Sequence, residues 1–129
     1  MSRQSDGGVS VLTARAVDHD GIAVVVVSGE IDRITENSPL DEAFFAVRQS
    51  PAGLVIDLDG VTFFGSAGIN MLVAVRREAA SAGVPFAVVA ETRLVLRPLE
   101  VSGVDALLSV HPALPDALAA LRSAQPSPR

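Results

Sequence analysis

Leu54-Val-Ile-Asp-Leu-Asp-Gly-Val-Thr-Phe-Phe-Gly-Ser-Ala-Gly-Ile-Asn-Met71 is the stretch that decides the fold of this 129-residue chain. Its first five residues, Leu54 to Leu58, read as a buried strand, and Asp59 to Gly65 leads away from it. Four small residues, Gly65 to Gly68, then open a helix whose apolar positions begin with Ile69, Leu72 and Val73. The helix turns polar at Arg76-Arg-Glu78 and ends near Gly83, and Pro85-Phe-Ala-Val-Val-Ala90 follows as a strand. Strand, helix and strand in this order make a parallel βαβ unit.

The pattern extends in both directions. Val9 to Val17 reads as a strand, Asp18-His-Asp-Gly21 as a turn, and Ile22-Ala-Val-Val-Val-Val27 as the second arm of an antiparallel hairpin. The second arm is apolar on both faces. That suits a central strand covered on both sides, or by helices on one side and a partner on the other. Ser38-Pro39 starts a helix, with Ser38 as N-cap, and Leu40, Ala43, Phe44 and Val47 form its core-facing stripe. Downstream, a helix over Thr92 to Val101 is disturbed by Pro98, Leu107 to Val110 forms a short strand, and Pro115 to Leu121 closes the domain as an amphipathic helix. The expectation is an α/β domain: a mixed, mainly parallel sheet of four to five strands, an N-terminal antiparallel hairpin, and helices packed against the sheet. One domain spans 9–122, between disordered tails at 1–8 and 123–129.

Composition narrows the functions. There is no cysteine, which excludes disulfides and thiolate metal sites. His19 and His111 lie far apart and show no metal-ligand spacing. The net charge is −5, and all ten basic residues are Arg. An acidic chain without a basic cluster has no electrostatic footprint for nucleic acid or an anionic membrane. The Lys-free usage resembles that of a GC-rich bacterial genome. Mean hydropathy is +0.41, yet Ile22 to Val27 would reach only ~20 Å as a strand and a membrane helix needs ~20 apolar residues. With no apolar run behind Met1 to Gly8 to act as a signal sequence, the chain is expected in the cytoplasm, without direct membrane insertion.

The junction is also where chemistry concentrates. A helix opened by Gly65-Ser-Ala-Gly68 presents unpaired backbone N–H groups and a positive dipole end, and its small side chains leave the backbone accessible. Read blandly, the same residues are a tight turn with Ser66 as N-cap. Asp57 and Asp59 end the strand as a carboxylate pair of the kind Mg²⁺ favours, or hydrogen-bond the turn, which is the commoner use. Glu30 and Asp32 share one strand face and could meet as an acid and a base, but no nucleophile accompanies them. Met71, Ala74 and Val75 add a second apolar stripe, which fits a core better than an interface. His111, beside Pro112, is expected in a surface turn.

Several segments together resemble the STAS domain family. Ser28-Gly-Glu-Ile-Asp32 is similar to its opening, Leu54 to Leu58 to its central strand, and Asp59-Gly-Val-Thr-Phe63 to the loop before its phosphorylation motif. Leu99-Glu-Val-Ser-Gly-Val104 and the final Ala- and Leu-rich helix fit as well, and the likeness covers about residues 9 to 122. The resemblance implies a STAS-like fold and an anti-sigma factor antagonist. Such a protein binds an anti-sigma factor of the ATP-using kinase type, frees a sigma factor for transcription, and needs no cofactor, metal or catalytic group. It further implies a partner-binding surface at Asp32, Phe64, Gly65, Ser66, Ala67, Gly68, Ile69 and Asn70, on a monomer or weak homodimer.

The family's kinase switches its target off by phosphorylating a hydroxyl in Asp-Ser-[Ser/Thr]-Gly, adding about −1.5 to −2 charges to the contact surface. This chain reads Gly65-Ser-Ala-Gly68, so the acceptor position is Ala67, which has no hydroxyl. Either the protein escapes the switch, or Ser66 serves as the phosphoacceptor one residue early. Two other roles stay open: a STAS subunit of a lipid-transport ABC complex or stress-sensing assembly and, more remotely, a small serine hydrolase. The latter reads Phe64-Gly-Ser-Ala-Gly68 as a nucleophile elbow with Asp105 and His111 as partners.

Overall fold

The computed structural model describes residues 12–124. Asp20 and Gly21 both adopt positive φ, 52° and 92°, the backbone of a two-residue hairpin turn whose twist matches that of the strands. They join β1 (Leu12–His19) to β2 (Ile22–Ile31), paired antiparallel from Leu12↔Gly29 to His19↔Ile22. The turn is therefore tighter than the four-residue signal implies, and β1 runs two residues beyond Val17. Residues 1–11, which include the expected N-terminal tail, lie outside the described region, as do 125–129.

From β2 onward every pairing is parallel: β3 (Gly53–Phe64) lies beside β2, β4 (Phe86–Val89) beside β3, and β5 (Val110–His111) beside β4. The order β1-β2-β3-β4-β5 follows the chain. Each crossover therefore advances the same way, and a consistent right-handed connection places the crossover helices on one face. Those helices are α1 (Asn37–Arg48), α2 (Ser66–Ser81) and α3 (Arg93–Ser102). Val47, Leu72, Val75, Val95 and Leu99 from them pack with Val25, Val27, Leu54, Ile56 and Leu58 of the sheet as the main core. The last helix, α4 (Leu114–Ala124), covers the opposite face, where Ala117, Leu118 and Leu121 meet Ile22, Val24, Val55, Ala87 and Val89. This second layer explains why Ile22 to Val27 of β2 and Leu54 to Ile56 of β3 are apolar at every position. Met71 and Val75 are buried in the main core, as the second stripe on α2 implied.

Several boundaries differ from the sequence reading. β3 does not end at Leu58 but continues through the polar Asp59–Thr62 to Phe64, with Gly60↔Ser28 and Phe64↔Ile31 still paired to β2. Its register slips twice, between Val26 and Ser28 and between Gly29 and Glu30, so β3 carries two extra residues and bends. At Gly60 a Cβ would overlap the Ser28 hydroxyl and crowd Ser28 Cβ at 3.0 Å, so the two strands approach closely where Gly60 pairs with Ser28. Ser38 is not the N-cap of α1, which begins at Asn37 behind Glu36; the loop before it is closed by side chains described below. α3 stays helical through Pro98. Finally, Val104–Leu107 forms a 3₁₀ turn after Gly103, and β5 is only Val110–His111. His111 is thus a strand residue opposite Val89, its Nε2 2.7 Å from the Ser109 hydroxyl, and not part of a surface turn. At the chain's end, α4 carries Ser123 and Ala124, two residues past the expected domain limit.

Candidate docking groove

Three parallel strands, β2, β3 and β4, end on the same side of the sheet and deliver three loops there, each leading into a helix. Carboxyl ends of parallel strands are where open α/β sheets place their sites, because the loops there diverge. Here the β2–α1 and β3–α2 loops enclose an open groove of about 520 Å³. Ile31, Asp32, Arg33 and Ile34 form one wall; Phe63, Gly65, Ser66 and Ala67 form the other.

The second wall follows from strand alternation. Phe63 and Phe64 are neighbours at the end of β3, so their rings leave by opposite faces. Phe64 is 5% exposed and joins the core, whereas Phe63 is 50% exposed at the groove. Gly65 is the N-cap of α2, and its carbonyl accepts the amides of Gly68 at 3.0 Å and Ile69 at 3.3 Å. It supplies no side-chain cap to the first N–H groups of α2. Ser66 is therefore the first helical residue and exposed, not the N-cap. Ala67 lines the groove but is only 5% exposed, and Gly68 is buried so tightly against Phe64 that a Cβ would overlap its ring.

The first wall is held by hydrogen bonds within the loop after β2. Asp32 Oδ1 accepts the amides of Ile34 at 2.9 Å and Thr35 at 3.0 Å. The Glu36 amide donates to the Asp32 carbonyl at 2.9 Å, closing the turn that leads into α1. Between these anchors Ile34 stands 86% exposed. Ile34 thus stands on a pinned backbone in a groove that the exposed Phe63 also lines.

Of the residues expected at a partner surface, the structure brings Asp32, Gly65, Ser66 and Ala67 to the groove. It turns Phe64 and Gly68 inward, leaves Ile69 half-buried against the core, and exposes Asn70 one turn along α2. Ile31, Arg33, Ile34 and Phe63 also line the groove and are not among the residues expected there. Their signal is an apolar residue in a polar turn and the alternation of the Phe pair.

Other candidate chemistries do not assemble. The Asp57 carboxylate accepts the Asp59 amide at 3.0 Å, which makes it a local backbone brace. Burial, and then the charges of Asp57 and Glu91, push the Asp59 carboxyl above the usual carboxylate range. Among the described residues no group of three His, Asp or Glu side chains is placed to hold a metal. Glu30 offers the loop its backbone carbonyl, which the Thr35 hydroxyl reaches at 2.7 Å, and the Asp32 carboxylate accepts the amides of Ile34 and Thr35, so Asp32 braces the turn. His111 sits on β5, two strands from the one leading to Ser66, and its ring is engaged by Ser109, while Asp105 lies in the exposed 3₁₀ turn. Among the described residues no helix is long and apolar enough to cross a membrane.

A mixed five-stranded sheet with helices on both faces, and a groove flanked by exposed apolar side chains at the carboxyl ends of its strands, define a domain of the α/β class. The family of STAS domains matches residues 13–117, and the chain belongs to it. It is 39% identical over 112 residues to the anti-sigma-F factor antagonist RsfB of Mycobacterium tuberculosis, covering 86% of this chain and 90% of that one. The anti-sigma-F factor antagonist RsfA of the same organism is 29% identical over 113 residues, covering 86% and 88%. The crystal structure of an anti-sigma factor antagonist from Mycobacterium paratuberculosis superposes with a TM-score of 0.82 at 39% identity, over 87% of this chain and 95% of that one.

Proposed function

We propose that the protein is an anti-sigma factor antagonist that docks an anti-sigma factor of the ATP-using kinase type in the cytoplasm, at the groove between the β2–α1 and β3–α2 loops, without the usual phosphorylation switch. The observation that carries the reading is the groove itself: Ile34 and Phe63 stand exposed on either side of the accessible start of α2. The relatives' shared role supports the partner class. Ala67, at the position where the family's acceptor hydroxyl would stand, is small, apolar and nearly buried, so it cannot take a phosphate. Without that added charge the groove stays apolar and available, and control falls to the protein's abundance.

The test begins with a tagged chain recovered from its own cell's lysate, with the co-purifying proteins identified by mass spectrometry. An anti-sigma kinase is then purified and incubated with the protein and ATP. Stable binding with no phosphopeptide is the expected result. Phosphate on Ser66, which is exposed one residue earlier, would overturn the unswitched reading. Recovery of membrane-transporter subunits or a large assembly of similar modules would overturn the pathway.

A further inference from the structure

We infer that the Thr35 hydroxyl is the positioning group of the docking groove, holding Ile34 in the pose in which it meets the partner; the inference rests on the groove being the docking surface proposed above. Thr35 does not line the groove, and its side chain is half-buried behind the loop. Its hydroxyl joins the end of β2 to the loop. It donates to the Glu30 carbonyl at 2.7 Å, accepts from the Asp32 amide at 3.0 Å, and has Asp32 Oδ1 at 3.2 Å as a weaker second acceptor. Asp32 Oδ1 in turn takes the amides of Ile34 and Thr35. One hydroxyl therefore sits at the centre of a closed set of bonds that fixes the backbone on both sides of Ile34.

An apolar side chain 86% exposed on a slack loop would fold back over the nearest apolar surface. Held at both neighbouring amides, Ile34 has only its own two side-chain torsions to lose on binding, so the ordering cost of the complex falls. The β-branch of Thr35 adds to this, since it restricts the torsion that aims the hydroxyl. Removing the hydroxyl leaves the Glu30 carbonyl and the Asp32 amide without this partner, and the loop opens next to its most exposed apolar residue.

The experiment uses the full chain and, as probe, the purified anti-sigma factor recovered with it. Thr35→Val removes the hydroxyl at constant shape, Thr35→Ser keeps it, and Ile34→Ala removes the anchor. Loss of one net hydrogen bond of about 0.5–1.5 kcal/mol corresponds to a change of about two- to twelvefold. Thr35→Val is expected to weaken binding by that factor and to speed amide exchange of Ile34 and Thr35 in the free protein by a similar one. Exchange of Val55 and Ile56 in β3 should not change. Thr35→Ser should restore both readouts. Faster exchange in Thr35→Val with undiminished affinity, while Ile34→Ala binds poorly, would overturn the positioning role and leave the docking reading standing. Full affinity in Ile34→Ala as well would bring down the docking reading. If Thr35→Val does not fold, the unaltered protein still decides: unprotected Ile34 and Thr35 amides would mean that the loop is not held, and the inference fails.

Discussion

Gly68→Ala places a methyl group on the first turn of α2 where the structure has no room for one. The added Cβ would overlap the Phe64 ring, whose Cζ lies 3.0 Å away and whose nearer ring carbons are closer still. Two effects oppose each other. Ala is the better helix former by about 0.8–1.0 kcal/mol in a helix interior. Against this, overpacking a filled core costs about 1–3 kcal/mol. Phe64 is 5% exposed and shut in by the main core, so its ring cannot swing aside into solvent. Overpacking therefore wins, by about 1 kcal/mol net, and the midpoint of thermal unfolding should fall by about 4 °C. Thermal unfolding followed by circular dichroism, in parallel with Phe64→Leu and the double variant, measures it. The smaller Leu should relieve the clash, so the double variant should be less destabilised than the two single changes summed. A Gly68→Ala protein as stable as the parent, or more so, would refute the close approach of α2 to Phe64.

Three further outcomes are expected. Leu72→Ala, which truncates a side chain with no exposure in the main core, should cost about 2–5 kcal/mol, read by chemical denaturation. Asp59→Asn should raise the unfolding temperature at neutral pH, because burial and the charges of Asp57 and Glu91 disfavour the ionised Asp59 in the fold. A carboxyl whose folded pKa is raised binds its proton earlier on acidification than the unfolded chain does. The parent thus recovers this stability as pH falls, and the difference should vanish below about pH 4, as paired melts would record. Phe63→Ser, at a half-exposed ring, should leave the unfolding temperature within about 2 °C and weaken partner binding at least tenfold by titration calorimetry.

The alternation of strands and helices was legible because each element carries its own period and punctuation: the Asp20-Gly21 turn, the double-sided Val run of β2, and the small residues opening α2. What escaped were places where tertiary structure overrides local signals. Asp59, Gly60 and Thr62 are polar or small and read as a loop, yet the two register slips let them continue β3 with those groups facing outward. Ser38 has the composition of a cap, but Asp32 and Thr35 had already closed the loop, so α1 begins without it. β5 is too short to show any period and exists because the amides of Val88 and Ala90 need the carbonyls of Ser109 and His111. At the site, Ser66 and Ala67 stood out by their spacing. Ile34 and Phe63 did not, since an exposed apolar residue looks the same in one dimension as a buried one; only the walls of the groove distinguish them.

The division of the sheet between three helices on one face and a single C-terminal helix on the other sets an order on synthesis. In chain order each new strand pairs with the one before it, and both walls of the groove lie upstream of Ser81. The opposite face is still bare at that point in the chain: Ile22, Val24 and Val55, later joined by Ala87 and Val89, wait for Leu114 to Leu121 to cover them. A chain stopped before Leu114 would therefore keep both walls of the groove and yet leave an apolar face of its sheet bare and prone to aggregate. The last eleven residues of the described fold, far from the groove in sequence, decide whether that face is covered.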